Sequence, residues 1–206
     1  MWNPVWISAV QDSFTAKTLF QFIDSTKTPY ETNKIRLFRY TGNAWEEYSS
    51  NDSSTFEFKA GRLFWVKTLD GVTFRFGKGT ALPLSDTITI PLVANGWTDF
   101  ALPFNFPMYI GDIIAATSDS APLSLIDSLK FYVWKDTAGG FQNEPFYGDQ
   151  FGGVDKSMMA IMYSSNGFTV LNPTSQKISL RIPPISTAVS TQATGPAKKR
   201  FPLAGP

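Results

Sequence analysis

Two residue types that carry much of enzyme chemistry are missing from this chain. Its 206 residues include no histidine and no cysteine. That removes Ser-His-Asp and Cys-His nucleophile systems, His- or thiolate-ligated zinc and imidazole acid–base catalysis together. A carboxylate pair, a Ser-Lys pair or a bound cofactor is what remains. Glycoside hydrolysis needs two carboxyl groups roughly 5–9.5 Å apart across a cleft. Glu46, Glu47, Glu144 and Asp149 are the available candidates, set in turns and strand ends with nothing to mark any two as partners. They read as solvated surface carboxylates. Asp149 and Asp155 bracket a glycine-rich stretch that a calcium ion could use, but calcium wants about 6–8 oxygens from a denser run of ligands. A long strand connection is the simpler reading. Gly77-Lys78-Gly79-Thr80 lacks the upstream glycine and following helix of a phosphate loop and reads as a turn. The expectation is a protein with no catalytic residues, no metal and no cofactor.

Charge points the same way. Eighteen basic and 17 acidic residues leave a net charge of +1, scattered singly. No basic stripe exists to neutralise a phosphate backbone, so nucleic acid is not an expected partner. Lys198-Lys199-Arg200 is the one cationic run and reads as a solvated tail charge. No apolar stretch reaches the roughly 18 residues of a membrane helix. The first thirty residues lack the apolar core of a signal peptide, so an export signal would lie outside this chain.

Aromatic residues are the feature with binding potential: 18 Phe, 7 Tyr and 6 Trp make up 15% of the chain. Sugar rings present apolar C–H faces, which planar side chains with a polar edge suit well. Trp45 and Tyr48 lie in the polar segment Thr41 to Asp52, where burial is least expected. Phe141, Phe146 and Tyr147 occupy the corresponding region further on. Trp45, Tyr48, Phe141 and Tyr147 are therefore the candidate polysaccharide-binding residues. For Trp45 and Tyr48 the simpler reading is that they cap the end of a sandwich. Trp6, Trp65 and Trp97 sit in apolar strand contexts and read as core.

The elements that must position these residues are strands. Ile35 to Tyr40, Leu63 to Lys67, Val72 to Phe76 and Thr87 to Leu92 all carry strand signals, as does the alternating Thr55 to Lys59. Leu63 to Lys67 reads as a central strand, and Pro91 puts the end of its strand at an edge or bend. Leu129 to Trp134, Met158 to Tyr163, Phe168 to Leu171 and Lys177 to Ile182 form a second set. Asp70-Gly71 and Asn166-Gly167 mark a hairpin in each set. Ser13 to Ile23 could hold a short helix, and Ile110 to Ala116 a single turn. The sets recur at offsets of 91 residues for Trp6 and Trp97, 94 for Phe38 and Tyr132, 96 for Gly71 and Gly167, and 90 for Thr87 and Lys177. A period this long indicates two domain-sized copies, not a solenoid.

At these residues the chain resembles a repeat module of large bacterial surface and secreted proteins, often found upstream of the sorting domain of the type IX secretion system. The matching places are Gly96-Trp97 with Pro103-Phe104, Leu37-Phe38-Arg39-Tyr40 with Trp45, and Ala60-Gly61-Arg62-Leu63-Phe64-Trp65-Val66. Trp97 departs from the pattern in being followed by T-D-F-A-L, and the second copy carries Ser157 to Met162 where the Gly-x-x-Phe-Trp motif is expected. The resemblance implies an extracellular, non-enzymatic β-sandwich accessory unit and transfers no catalytic residue.

The expected architecture is all-β: two tandem antiparallel β-sandwich domains related by internal duplication and packed in line. Residues 1–85 form the first, lacking its first strand; 86–185 form the second; 186–206 form a flexible linker or tail. The expected role is structural, as a spacer or assembly module, with carbohydrate binding the alternative. Expected partners are neighbouring domains of the same polypeptide and polysaccharide, and the expected location is extracellular or on the cell surface.

Overall fold

The computed structural model describes residues 2–6, 9–10, 35–49, 56–68, 80–117, 128–135, 140–141 and 161–184. Among these the protein is built of antiparallel strands, with one three-residue 3-10 turn and no α-helix. It is an all-β chain.

The first half contributes β1 (Trp2–Trp6), β2 (Ala9–Val10), β3 (Ile35–Tyr40), β4 (Trp45–Glu47), β5 (Leu63–Thr68) and β6 (Thr80–Ala81). The second contributes β7 (Ile88–Pro91), β8 (Gly96–Ala101), β9 (Met108–Tyr109), β10 (Ile114–Ala116), β11 (Lys130–Lys135), β12 (Gly140–Phe141), β13 (Ile161–Met162), β14 (Gly167–Asn172) and β15 (Ser179–Ile182). Of Ile110 to Ala116, read as one helical turn or loop, Ile110–Asp112 forms a 3-10 turn, its start held by the Tyr109 amide donating to Asp112, while Ile114–Ala116 is strand β10. Every described ladder closes within residues 2–81 or within residues 88–182.

Each half holds a four-stranded sheet of the same design. The first has the order β1-β5-β3-β4 and the second β8-β14-β11-β12. The register agrees as well. A row across the first sheet reads Asn3–Val66–Leu37, and the matching row of the second reads Thr98–Val170–Phe131. The next rows are Pro4–Trp65–Phe38 and Asp99–Thr169–Tyr132. Strand β3 matches β11 at the offset read from Phe38 and Tyr132. Two other matches differ from the sequence reading, while Gly71 lies outside the described residues. Trp2, not Trp6, stands where Trp97 stands. Leu63–Thr68 is matched by Gly167–Asn172, so Phe64-Trp65-Val66 corresponds to Phe168-Thr169-Val170 and not to the segment Ser157 to Met162.

The turn before Gly167 explains that displacement. A two-residue type I′ hairpin on Asn166-Gly167 would need positive φ at both residues. Among the described residues only Gly42, Gly61 and Asn95 have it. The turn instead spans Tyr163 to Asn166, closed by the Asn166 amide on the Tyr163 carbonyl at 3.0 Å. It passes the chain between ladders: β13 pairs with β9, while β14 pairs with β11 and β8. The Asp70-Gly71 hairpin, the Val72 to Phe76 strand and the Ser13 to Ile23 helix lie outside the described residues.

In the second half the four-stranded sheet faces a three-stranded one of order β10-β15-β7. Phe100, Phe131, Val133, Phe168 and Val170 from one meet Ile90, Ala115, Leu180 and Ile182 from the other in a single apolar core. Pro91 lies in the edge strand β7, where a residue without an N–H costs no ladder bond. In the first half Leu37, Phe64 and Val66 are buried on one face of the sheet, where Phe64 packs on Phe56 and Phe58, and Tyr48 packs on Phe56. Thr55 to Lys59 was expected as a strand. Phe56 and Phe58 do turn inward, but Phe56 to Lys59, the described part of that segment, runs as a turn with a single bridge and belongs to none of the described strands.

The opposite faces of the two four-stranded sheets pack on each other. Phe38, Leu63 and Trp65 of the first sheet meet Ala101 and Trp134 of the second. Strand β5 lies against β8, and β1 against β14. The halves are thus stacked face to face, not set end to end as expected. The strands β5 and β14 are central because both of their faces are covered.

Two glycines set the closeness of this stack. Gly61 has φ +84° and passes its carbonyl to the Ala101 amide at 3.1 Å. Gly42, at φ +97° in the β3–β4 loop, lies where an added Cβ would sit 2.5 Å from Val93 Cγ2 and 3.0 Å from the Trp97 carbonyl. Gly42→Ala combines left-handed strain with that clash and is expected to cost about 1–3 kcal/mol. Urea denaturation checks it; an unchanged midpoint would show that the loop moves aside freely.

Candidate functional site

The chemistry-bearing side chains of the structure gather where the two sheets meet. Alternation along each strand decides which they are. On β5 it sends Leu63, Trp65 and Lys67 to the seam and Phe64 and Val66 to the first core. On β8 it sends Trp97, Asp99 and Ala101 to the seam side and Thr98 and Phe100 to the other.

Trp65 is the pivot of this arrangement, with only 2% of its surface exposed. Its indole N–H donates to Asp99 Oδ2 at 2.8 Å, joining the sheets through a charge-assisted bond. Its ring packs edge-to-face on Trp134 at 4.7 Å and on Trp45 at 5.6 Å. Trp45 in turn leans on Tyr40 at 5.0 Å. Farther along the same face of the second sheet, Trp97 and Tyr132 pair at 5.3 Å. Asp99 is half-buried, and burial pushes its carboxyl up from the ordinary 3.8 to about 6. Hydrogen bonds from Trp65 and from Thr169 pull the other way and offset only part of that rise.

The sequence-predicted residues separate here. Trp45 is 53% exposed at the start of β4, the position a ring platform needs. Tyr48 is not beside it. Only 4% of Tyr48 is exposed, its ring edge packs on Phe56 at 5.5 Å, and burial pushes its phenol up. The polarity of the surrounding segment misled: the Tyr48 amide bonds to the Leu37 carbonyl at 2.9 Å, which draws the side chain into the first core. Phe141 occupies the β12 position opposite Trp134. Phe146, Tyr147, Glu144, Asp149 and Asp155 lie outside the described residues. Trp65 is core as expected; Trp97 is half-buried on the seam-side face of its sheet.

Glu46 and Glu47 are adjacent on a strand and therefore leave it on opposite faces. Arg39 Nε bonds Glu46 and Arg36 Nε bonds Glu47, each at 2.8 Å. Two carboxylates so placed cannot converge on one glycosidic bond. Thr80 is in β6 against Val10, and Gly77, Lys78 and Gly79 lie outside the described residues. No group of three or more acidic, His or Cys residues able to hold a metal occurs among the described residues, and no described helix is long and apolar enough to cross a membrane.

Sequence reasoning passed over Asp99. The signal was available: a carboxylate inside an apolar strand, two residues from Trp97 and two from Ala101, belongs to the same face as both. No family model matches the chain, and neither a curated protein nor a solved structure matches it.

Proposed function

We propose that this chain is a non-enzymatic structural or accessory module of a larger bacterial surface or secreted protein, serving as a spacer or assembly unit. Its two parts, residues 1–85 and 86–185, are β-sandwich units descended from one duplicated ancestor, with 186–206 a connecting tail. The observation that carries this reading is the shared strand order of the two four-stranded sheets, together with rows that match in register from Asn3–Val66–Leu37 to Thr98–Val170–Phe131. The arginine pairing of Glu46 and Glu47 on opposite faces of β4 favours a non-enzymatic role. Seam contacts at Trp65, Gly61 and Gly42 suit a part that holds a fixed shape between neighbours. Deleting residues 1–185 from the parent polypeptide is expected to reduce surface presentation of the adjoining domains while leaving their own activities intact. Unchanged presentation would count against the role.

Carbohydrate binding is the second reading, and the exposed Trp45 ring beside Tyr40 favours it. Affinity electrophoresis against a polysaccharide panel tests it. Retardation on a glycan should be lost in Trp45→Ala at a protein concentration and temperature where the variant is still folded, since its ring contacts with Tyr40 and Trp65 are worth about 0.5–1.5 kcal/mol each. A chain retarded by none of the glycans would end this reading.

A further inference from the structure

We propose that the Trp65–Asp99 contact makes the seam between the two four-stranded sheets a proton-operated joint, closed more tightly when Asp99 is protonated. The geometry comes first. Asp99 projects from the edge strand of one sheet into the face of the other, where its partner is the Trp65 indole; the hydroxyl of Thr169, its ladder neighbour in its own sheet, is the second. Neither partner carries charge. Opening the seam would remove the indole and hand the carboxylate to water. The closed seam therefore holds a half-buried ionisable group that the open seam would solvate fully, and any such difference couples opening to proton binding.

The sign follows from the direction of the shift. Burial raises the closed-state value to about 6 from the ordinary 3.8. The closed seam thus binds the proton more tightly than the open one. Its extra stability is fully present below the ordinary value and is lost as pH rises through about 6. From these two values the open fraction is expected to rise about tenfold between pH 5 and pH 7.5.

Other titratable or charged side chains on the seam faces of the packed strands are Lys67 on β5, Arg36 and Tyr40 on β3, Glu47 on β4, and Lys130 and Tyr132 on β11. Arg36 and Glu47 are paired with each other. Strands β1, β12 and β14 carry no charged residue. Asp99→Asn keeps an oxygen acceptor for the Trp65 indole, removes the titration and leaves all of these groups in place.

The test is hydrogen exchange of the Ala101 amide, whose partner across the seam is Gly61, with the Trp65 indole proton as second reporter. After correction for intrinsic exchange chemistry, protection in the native chain should fall about tenfold from pH 5 to pH 7.5. In Asp99→Asn it should stay flat, at or above the acid value. A flat native profile would overturn the joint, and so would an Asp99→Asn profile that keeps the native slope. Should Asp99→Asn fail to fold, a carbon-13 NMR titration of the Asp99 carboxyl in the native chain decides: a midpoint near 6 supports the joint, and one in the ordinary carboxylate range overturns it.

Discussion

Trp65→Ala is expected to lower global stability by about 3–5 kcal/mol, the range for emptying a buried tryptophan site. The loss falls on both halves together, because the ring touches Trp134 of the second sheet and Trp45 of the first. It also leaves Asp99 without its indole donor. Water entering the vacated space would rehydrate the carboxylate and hold the loss toward the lower end. Trp65→Phe separates the two contributions. It keeps most of the ring volume but removes the N–H, so its cost should be about 1.5–3 kcal/mol, that of a hydrogen bond to a charged group. Urea unfolding of the three proteins provides the check. Equal losses in the two variants would mean that the hydrogen bond and not the packing carries the seam; no loss in either would mean the sheets are held elsewhere.

Phe100→Ala should have an effect of similar size, about 3–5 kcal/mol, for a different reason. Phe100 is fully buried in the second core, stacked on Phe168 at 5.5 Å and edge-on to Phe131 at 6.1 Å. Aromatic pairs of this kind add about 0.5–1.5 kcal/mol beyond the area they bury. The side chain lies on the face of β8 opposite Asp99, away from the seam. The pH dependence of Ala101 exchange should therefore survive in Phe100→Ala although the protein is weaker overall. Thermal and chemical denaturation at fixed pH measure the first effect, and amide exchange the second. A variant that unfolds near the native midpoint would show that Phe131 and Phe168 can close the gap by repacking.

How much of this was legible in the sequence depends on the range over which each signal acts. Alternation is local, and it placed Phe56 and Phe58 inside, Ile35 to Tyr40 in a strand, and Ile88 and Ile90 toward a core. The four apolar residues Leu63 to Val66 gave away a central strand because both faces of that strand are covered. What alternation cannot say is which strand pairs with which. Asn166-Gly167 looked like a hairpin centre, yet the backbone there takes no positive φ, and the flanking strands join different ladders. That one turn shifted the match between the halves, so Phe168-Thr169-Val170 was not recognised as the partner of Phe64-Trp65-Val66. Tyr48 was misplaced because polar neighbours say little about one side chain pinned inward by its own backbone. Asp99 escaped notice because its significance lies 34 positions away, at Trp65.

The stacking of β1 on β14 and of β5 on β8 has a geometric corollary. Since β1 matches β8 and β5 matches β14, each half lays its outermost strand over the middle strand of the other, the relation expected of a two-fold axis. A self-complementary surface of this type ordinarily brings separate molecules together in pairs. Here both of its copies lie on one chain and saturate each other, so any larger array must grow through different surfaces.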